Sequence, residues 1–391
     1  MQTTQPQPHT QSKQYRYFLD SLASEATKRT YSLNLRQYCR HLKIEIDDCI
    51  RLLSTQPSLA EARIIDYIVH LKSKGISYSR INSMLCAIMH FYTMNDVTLN
   101  RKKIARFMGE KKRGLRSEQG HAYTREQIAE MLTVCDERTK AIILLLTSTG
   151  MRIGAIPALK FKHLKLMDLS SDFDSRAEAK AEPKTKTDGR SETHLYMIAI
   201  YGGEYFTFCT PEAANAIDSY LKYRTISGES IGSESPLIRE QFNREDGLKI
   251  RHPKSVNLGN LSSLLIDVTN KAGIRKHEIQ TEGSIHGQHR KSVPLAHGFR
   301  RFFNTALMNA DVHPSFKKLL MGHSVQLDEV YYDKGSEKSR VKLFEEYRKA
   351  IDSLTINEEN RLRKKVEELT VRSDQIDELR CAIDELKARV L

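Results

Sequence analysis

No run of 18 or more apolar residues occurs in the 391-residue chain, so no membrane-spanning helix is expected. The first fourteen residues lack the apolar core of a secretory signal and are polar and Gln/Thr-rich. They are expected to be disordered. Six cysteines, at positions 39, 49, 86, 135, 209 and 381, are scattered without a Cys-x-x-Cys pair. That spacing disfavours a disulfide frame or a zinc site. It fits free thiols in a reducing, cytoplasmic compartment. The imidazole, guanidinium and phenol groups singled out between His297 and Tyr332 include no carboxylate pair and no metal-ligand cluster.

What is present is basic. The formal net charge is +13 and the pI about 9.3, a balance that points to a polyanion as partner. At 39% hydrophobic and 28% charged residues, large parts should fold under a very polar surface, and the length suits two domains and a tail.

Residues 15–108 read as a helical domain. Tyr31, Leu35, Tyr38 and Leu42 recur on one helical face, as do Ala62, Ile65, Ile68 and Val69, and again Ile81, Leu85, Ile88 and Tyr92. Gly75 separates the second and third helices. Residues 101–116 hold eight Lys or Arg and one Glu. Arg101, Lys102, Lys103, Arg106, Lys111, Lys112, Arg113 and Arg116 are therefore the candidate contacts to a nucleic-acid backbone, and 109–122 the linker. Each phosphate neutralised steepens the salt dependence of binding by about 0.9 in log–log slope.

A second domain, 123–355, opens with a capping box at Thr124 and Gln127. The run Ala141–Leu146 predicts a buried helix ended by Gly150, with Arg152 directly after it. A buried arginine needs a partner, so Arg152 either reaches solvent or binds an anion. Residues 168–194 read as a polar insertion. Two β-rich runs about Gly202-Gly203 then predict a hairpin, followed by helices from Pro211 and over Asn257–Ala272. From His297 a helix is expected, with His297 and Arg300 on one face. Pro314 starts a shorter helix that ends at Gly322-His323. The fold class is thus mainly α with a small β-hairpin or sheet in the second domain (α+β). Over 356–391, Leu362, Leu369, Ile376, Ile383 and Val390 repeat every seven residues. Leu379 and Leu386 fill the second seam position, which Lys365 and Arg372 occupy earlier. This predicts a C-terminal coiled-coil helix.

The catalytic inventory suits reaction at phosphate: guanidinium and imidazole groups to hold negative charge, and a phenol to attack it. A lone His-x-x-Arg is expected by chance in a chain with 14 histidines. The order is more specific: TSTGMR, a β-hairpin, HGFRR, LLMGHS, then a tyrosine nine residues after that histidine. In this order the chain resembles the tyrosine recombinase (phage integrase-like) family, in a style similar to its archaeal branch, over about residues 15–355.

The resemblance implies roles residue by residue. Arg152 matches the first arginine, His297 and Arg300 the His-x-x-Arg pair, His323 the Leu-Gly-His-type histidine, and Tyr332 the nucleophile, with Tyr331 as its competitor. It departs from the family at Ala155, where an acidic residue is common. It departs again at the turn from Tyr201 to Glu204, which lacks the family's hairpin lysine. Lys186, with Lys184 beside it, is the nearest substitute as proton donor. The implied activity is site-specific DNA cleavage and rejoining through a 3′-phosphotyrosine and a Holliday junction, without metal or other cofactor. The implied partners are double-stranded DNA at attachment sites and further copies of the chain, four on two synapsed sites. The helical and catalytic domains would close on DNA as a clamp. Integration or excision of a mobile element is the leading role. Dimer resolution, type IB-like strand passage and non-catalytic DNA regulation are the alternatives.

Overall fold

In a computed structural model of the chain, the described residues are 13–53, 56–109, 121–168, 194–274, 294–323 and 336–357, with Glu359, Val366 and Thr370; side chains at 50, 52 and 53 are excepted. The chain divides into two compact units, with the boundary between Ser117 and Glu118.

The first unit is helical: α1 (Lys13–Asp20), α2 (Glu25–Leu42), α3 (Ile46–Leu53), α4 (Pro57–Ser73), α5 (Tyr78–Thr93) and α6 (Arg101–Arg106). Ser24 caps α2 by accepting from the Thr27 amide, and Gly75 follows α4 with φ +69°. The stripes on α2 and α5 face the core as expected, through Leu35 and Tyr38 and through Ile81, Leu85, Ile88 and Tyr92. The α4 stripe does so only in part, through Ile65 and Ile68. Ala60, Ile64, Tyr67, Ile68 and Leu71 are buried, while Val69 is 51% exposed and Ala62 lies outside. Tyr67 explains the rotation. Its ring fills the core while its hydroxyl donates to Sδ of Met84, so a residue omitted from the apolar pattern sets the face. The first half of the basic stretch belongs to this unit, since Ile104 and Met108 are buried in its core.

The second unit begins with α7 (Arg125–Thr133) and α8 (Glu137–Thr149). The Thr124–Gln127 capping box forms, and Ala141 to Thr149 are all buried. Two 3₁₀ turns, Ile153–Ala158 and Phe161–His163, lead to β1 (Leu164–Asp168). β1 pairs antiparallel with β2 (His194–Ile200), and β2 with β3 (Tyr205–Phe208). The expected hairpin is therefore two strands of a three-stranded sheet. β1, LKLMD, has only five residues, two of them charged, too weak a pattern to announce a strand.

Strand β2 is buried on both faces. Tyr196, Ile198 and Ile200 enter one core with α8 and α9 (Pro211–Ile226), while Leu195 and Met197 enter a second. The period-two alternation of a strand divides its side chains between these layers. The helices α10 (Gly247–Arg251), α11 (Leu258–Lys271), α12 (Leu295–Asn309), α13 (Pro314–Leu320), α14 (Glu337–Arg348) and α15 (Ile351–Leu354) complete the unit. α12 serves both layers, with Phe299 in the first core and Phe303 in the second. The fully buried Tyr347 of α14 donates to the Ser148 carbonyl at 2.9 Å, tying the C-terminal helices to α8. Ile356 is buried in the first core, and the Glu212 carboxylate accepts from the Ile356 and Asn357 amides at 2.8 and 3.1 Å. The heptad seam beyond it lies outside the described residues.

Candidate active site

Three chain segments meet at the ends of α8, α12 and α13. Gly150 ends α8 with φ +58°, a conformation that releases the chain at once from the helix. A Cβ at that position would lie 2.2 Å from Cδ1 of Phe303, so α12 crosses against bare backbone there. That close approach places Arg300, one α12 turn earlier, beside the buried α8 terminus.

Arg300 is 5% exposed. Its Nη1 donates to the Gly150 carbonyl at 2.5 Å, and its Nη2 to the Met321 carbonyl and to Nε2 of His323, both at 2.7 Å. All these acceptors are neutral. Arg152, exposed on the segment leaving α8, donates from Nη1 to the Gly322 carbonyl at 3.4 Å. Among the described residues neither arginine pairs with a carboxylate. Elsewhere the same unit neutralises its buried arginines. Arg224 and Arg239 share Glu229, with Arg239 Nη1 2.7 Å from Oε2. By contrast Arg300 is a buried charge without a carboxylate partner among the described residues, with the exposed Arg152 nearby, an arrangement suited to an external anion.

The imidazoles respond to that field. Burial, and then Arg300, Arg301 and Arg152, push the His297 pKa below its ordinary value. Burial, Arg300, Arg152 and Lys318 do the same to His323. Burial and then Arg152 lower even Arg300, although an arginine stays charged throughout the working range. Both histidines are thereby neutral near pH 7: His297 can take a proton and His323 can offer one N–H. His297, His323 and Arg152 all reach the surface around the recessed Arg300.

Of the residues expected from sequence, the fold brings Arg152, His297, Arg300 and His323 together. Tyr332, its competitor Tyr331, and Lys184 and Lys186 lie outside the described residues, as do Lys111, Lys112, Arg113 and Arg116. Arg101, Lys102 and Arg106 are exposed on α6. Lys103 is engaged. Its Nζ lies 2.8 Å from Glu61, which also accepts from the Asn100 amide and so fastens α6 to α4.

Two residues of the site escaped the sequence reading. A Cβ on Gly322, at φ +61°, would lie 2.4 Å from Cε1 of Tyr205, so the tyrosine ring sits directly on the turn that presents His323. The Tyr205 hydroxyl is shielded from solvent and interacts with Arg300; burial pushes its pKa up to about 12. Tyr201, at the hairpin tip, has φ +50° and packs its ring on Tyr205, centroids 6.5 Å apart at 60°. A left-handed conformation costs a non-glycine residue about 1–2 kcal/mol. The only signal in the sequence was a tyrosine beside a glycine pair.

The chain matches no protein-family model and no curated protein. Solved structures do match. The structures it resembles are recombinases and integrases. The crystal structure of XerA recombinase is 15% identical, covering 86% of this chain and 98% of that one, with a TM-score of 0.34. A lambda integrase dimer bound to a COC′ core site is 11% identical over 83% of this chain and 94% of that one, TM-score 0.47. XerH site-specific recombinase, in a post-cleavage complex with a palindromic difH substrate, is 15% identical over 83% and 81%, TM-score 0.48.

Proposed function

We propose that this protein is a site-specific DNA recombinase that cuts and rejoins strands through a 3′-phosphotyrosine, with integration or excision of a mobile element as its role. The observation that carries the reading is the recessed Arg300 without a carboxylate partner, ringed by Arg152 and two neutral histidines.

A scissile phosphodiester fits this ring. Arg152 and Arg300 bind its non-bridging oxygens, and arginine forks give both strength and orientation. Charge builds on those oxygens as the phosphorus becomes five-coordinate, so the clamp favours the transition state over the ground state. Tyr332 attacks. Its phenol, with an ordinary pKa of about 10, needs assistance at neutral pH. Neutral His297 accepts its proton, and His323 donates to a phosphate oxygen. The phosphotyrosyl bond retains the bond energy, so a free 5′-hydroxyl of a second duplex can reverse the step and exchange strands. Double-stranded attachment sites and four protomers are what the family resemblance implies for such an exchange, with the heptad tail as the associating element. The basic residues of 101–116, apart from the Glu61-paired Lys103, hold the DNA backbone.

The test is a nicked suicide duplex carrying the element's own ends. A covalent protein–DNA band is expected in the presence of EDTA, persisting in Tyr331→Phe and lost in Tyr332→Phe. A band lost in Tyr331→Phe but kept in Tyr332→Phe reassigns the nucleophile. No band with any such duplex rejects the enzyme reading in favour of DNA-binding regulation.

A further inference from the structure

We propose that Tyr201, the exposed phenol at the tip of the β2–β3 turn, gives the proton to the 5′ oxygen that leaves phosphorus during cleavage. The inference rests on the strand-transfer reading above and supplies a step that the four clustered residues leave open.

Cleavage breaks the P–O5′ bond and leaves its electron pair on oxygen, which needs a proton. An arginine does not give one up at any working pH. His297 takes the Tyr332 proton on the attacking face, opposite the oxygen that leaves in line, and His323, held neutral by burial and by neighbouring cations, is a poor acid. Tyr205 is near, but its hydroxyl is shut away from solvent. Tyr201 is 40% exposed. It lies within electrostatic reach of the Arg300 guanidinium.

The backbone singles out the same residue. The Gly203 amide donates to the Ile200 carbonyl at 3.0 Å, and both residues between them have positive φ, +50° at Tyr201 and +71° at Gly202. This is the pattern of a type I′ turn, whose central positions favour glycine, asparagine or aspartate. A bulky residue in that conformation is an outlier, and such outliers cluster where a side chain must be aimed. Here the aim is defined by packing: the Tyr201 ring rests on Tyr205, and Tyr205 rests on Gly322 beside His323. The phenol is thereby held at the rim of the Arg300 site.

The chemistry balances. Tyr332 oxygen bonds to phosphorus and its proton passes to His297. The P–O5′ bond breaks, and the Tyr201 O–H proton moves to O5′. The Tyr201 phenolate that remains lies in the positive field of Arg300. In rejoining, the incoming 5′-hydroxyl returns its proton to Tyr201, and His297 returns one to the departing Tyr332. A phenol is a far stronger acid than an alcohol, so transfer to the leaving oxygen runs downhill.

Two duplexes test this, one with the natural bridging oxygen at the scissile phosphate and one with sulfur in its place. A thiolate leaves without a proton, thiols having a pKa of about 8.5. Tyr201→Phe is expected to slow covalent-complex formation on the oxygen duplex by about 10²–10⁴-fold. On the sulfur duplex it should run within a few-fold of wild type. Tyr201→Gly, which relaxes the turn and also lacks the hydroxyl, should behave the same way. An unchanged rate on oxygen, or an equal loss on both duplexes, overturns the assignment. So does selective sulfur rescue of Lys186→Ala with none for Tyr201→Phe. Wild-type protein that reacts with neither duplex overturns the strand-transfer reading itself.

Discussion

Nη2 of Arg300 donates to Nε2 of His323 at 2.7 Å. An arginine nitrogen can only donate, so Nε2 accepts and the neutral ring carries its proton on Nδ1. The bond therefore selects a tautomer and explains how a histidine can sit against a guanidinium. It also leaves Nδ1–H as the group offered to a phosphate.

This arrangement has a pH dependence with a definite sign. The folded pKa values of His297 and His323 lie below the ordinary value near 6.5. The stability they contribute is present above about pH 6.5 and is lost as pH falls through the lowered folded values, because the unfolded chain then binds more protons. The melting temperature should drop between pH 7 and pH 5, and drop less steeply in His323→Asn. Sulfate at the arginine site works the other way, since an anion stabilises the protonated rings. At pH 6 it should raise the melting temperature of wild type by roughly 3 °C more than that of Arg152→Ala, through preferential binding to the folded state. Equal shifts in the two proteins would rule out anion binding at this site.

The two glycines at the site are expected to be intolerant for reasons that can be separated from chemistry. Gly150→Ala forces a left-handed alanine and drives a methyl into the Phe303 ring. From the backbone term and overpacking together the loss should be about 2–4 kcal/mol in urea unfolding. Gly322→Ala meets the Tyr205 ring in the same way. It should slow DNA cleavage by displacing His323. Gly154→Ala is the control: nothing lies within 4 Å of the added carbon. Its stability should match wild type, and comparable losses at all three positions would reject the packing argument.

The basic helix divides by partner. Arg101, Lys102 and Arg106 face solvent, whereas Lys103 is paired with Glu61. Replacing the first three with glutamine should flatten the log–log salt dependence of duplex binding by about 0.9 for each phosphate they neutralise. Lys103→Gln should leave the slope nearly unchanged and lower stability by at most about 1 kcal/mol, since the lysine is half exposed. Fluorescence anisotropy over a KCl series measures the slopes. A Lys103→Gln slope as flat as the others would place Lys103 on DNA too.

Much of the helical architecture was legible because its signals are local. The Thr124–Gln127 capping box, the buried run before Gly150 and the stripes of α2 and α5 all form as the sequence implies. The α4 stripe is rotated from its expected face because Tyr67 is amphipathic, and β1 was illegible because five residues with a lysine do not announce a strand. Tyr205 had no signal at all. Its place in the site depends on Gly322, 117 residues later, leaving room for its ring.

By itself the sequence determined the residue types that chemistry at phosphate requires, and the order in which they arrive. Local periodicity and capping placed each on or beside a helix, since those forces act within a few residues. Tertiary structure alone decided that Arg152, His297, Arg300 and His323 share one surface. It also decided that Arg300 meets carbonyls and an imidazole where Arg224 meets a glutamate. Those outcomes rest on the crossing of α8 and α12 at Gly150 and on how close two backbones can approach. Neither is written in the spacing of residues along the chain.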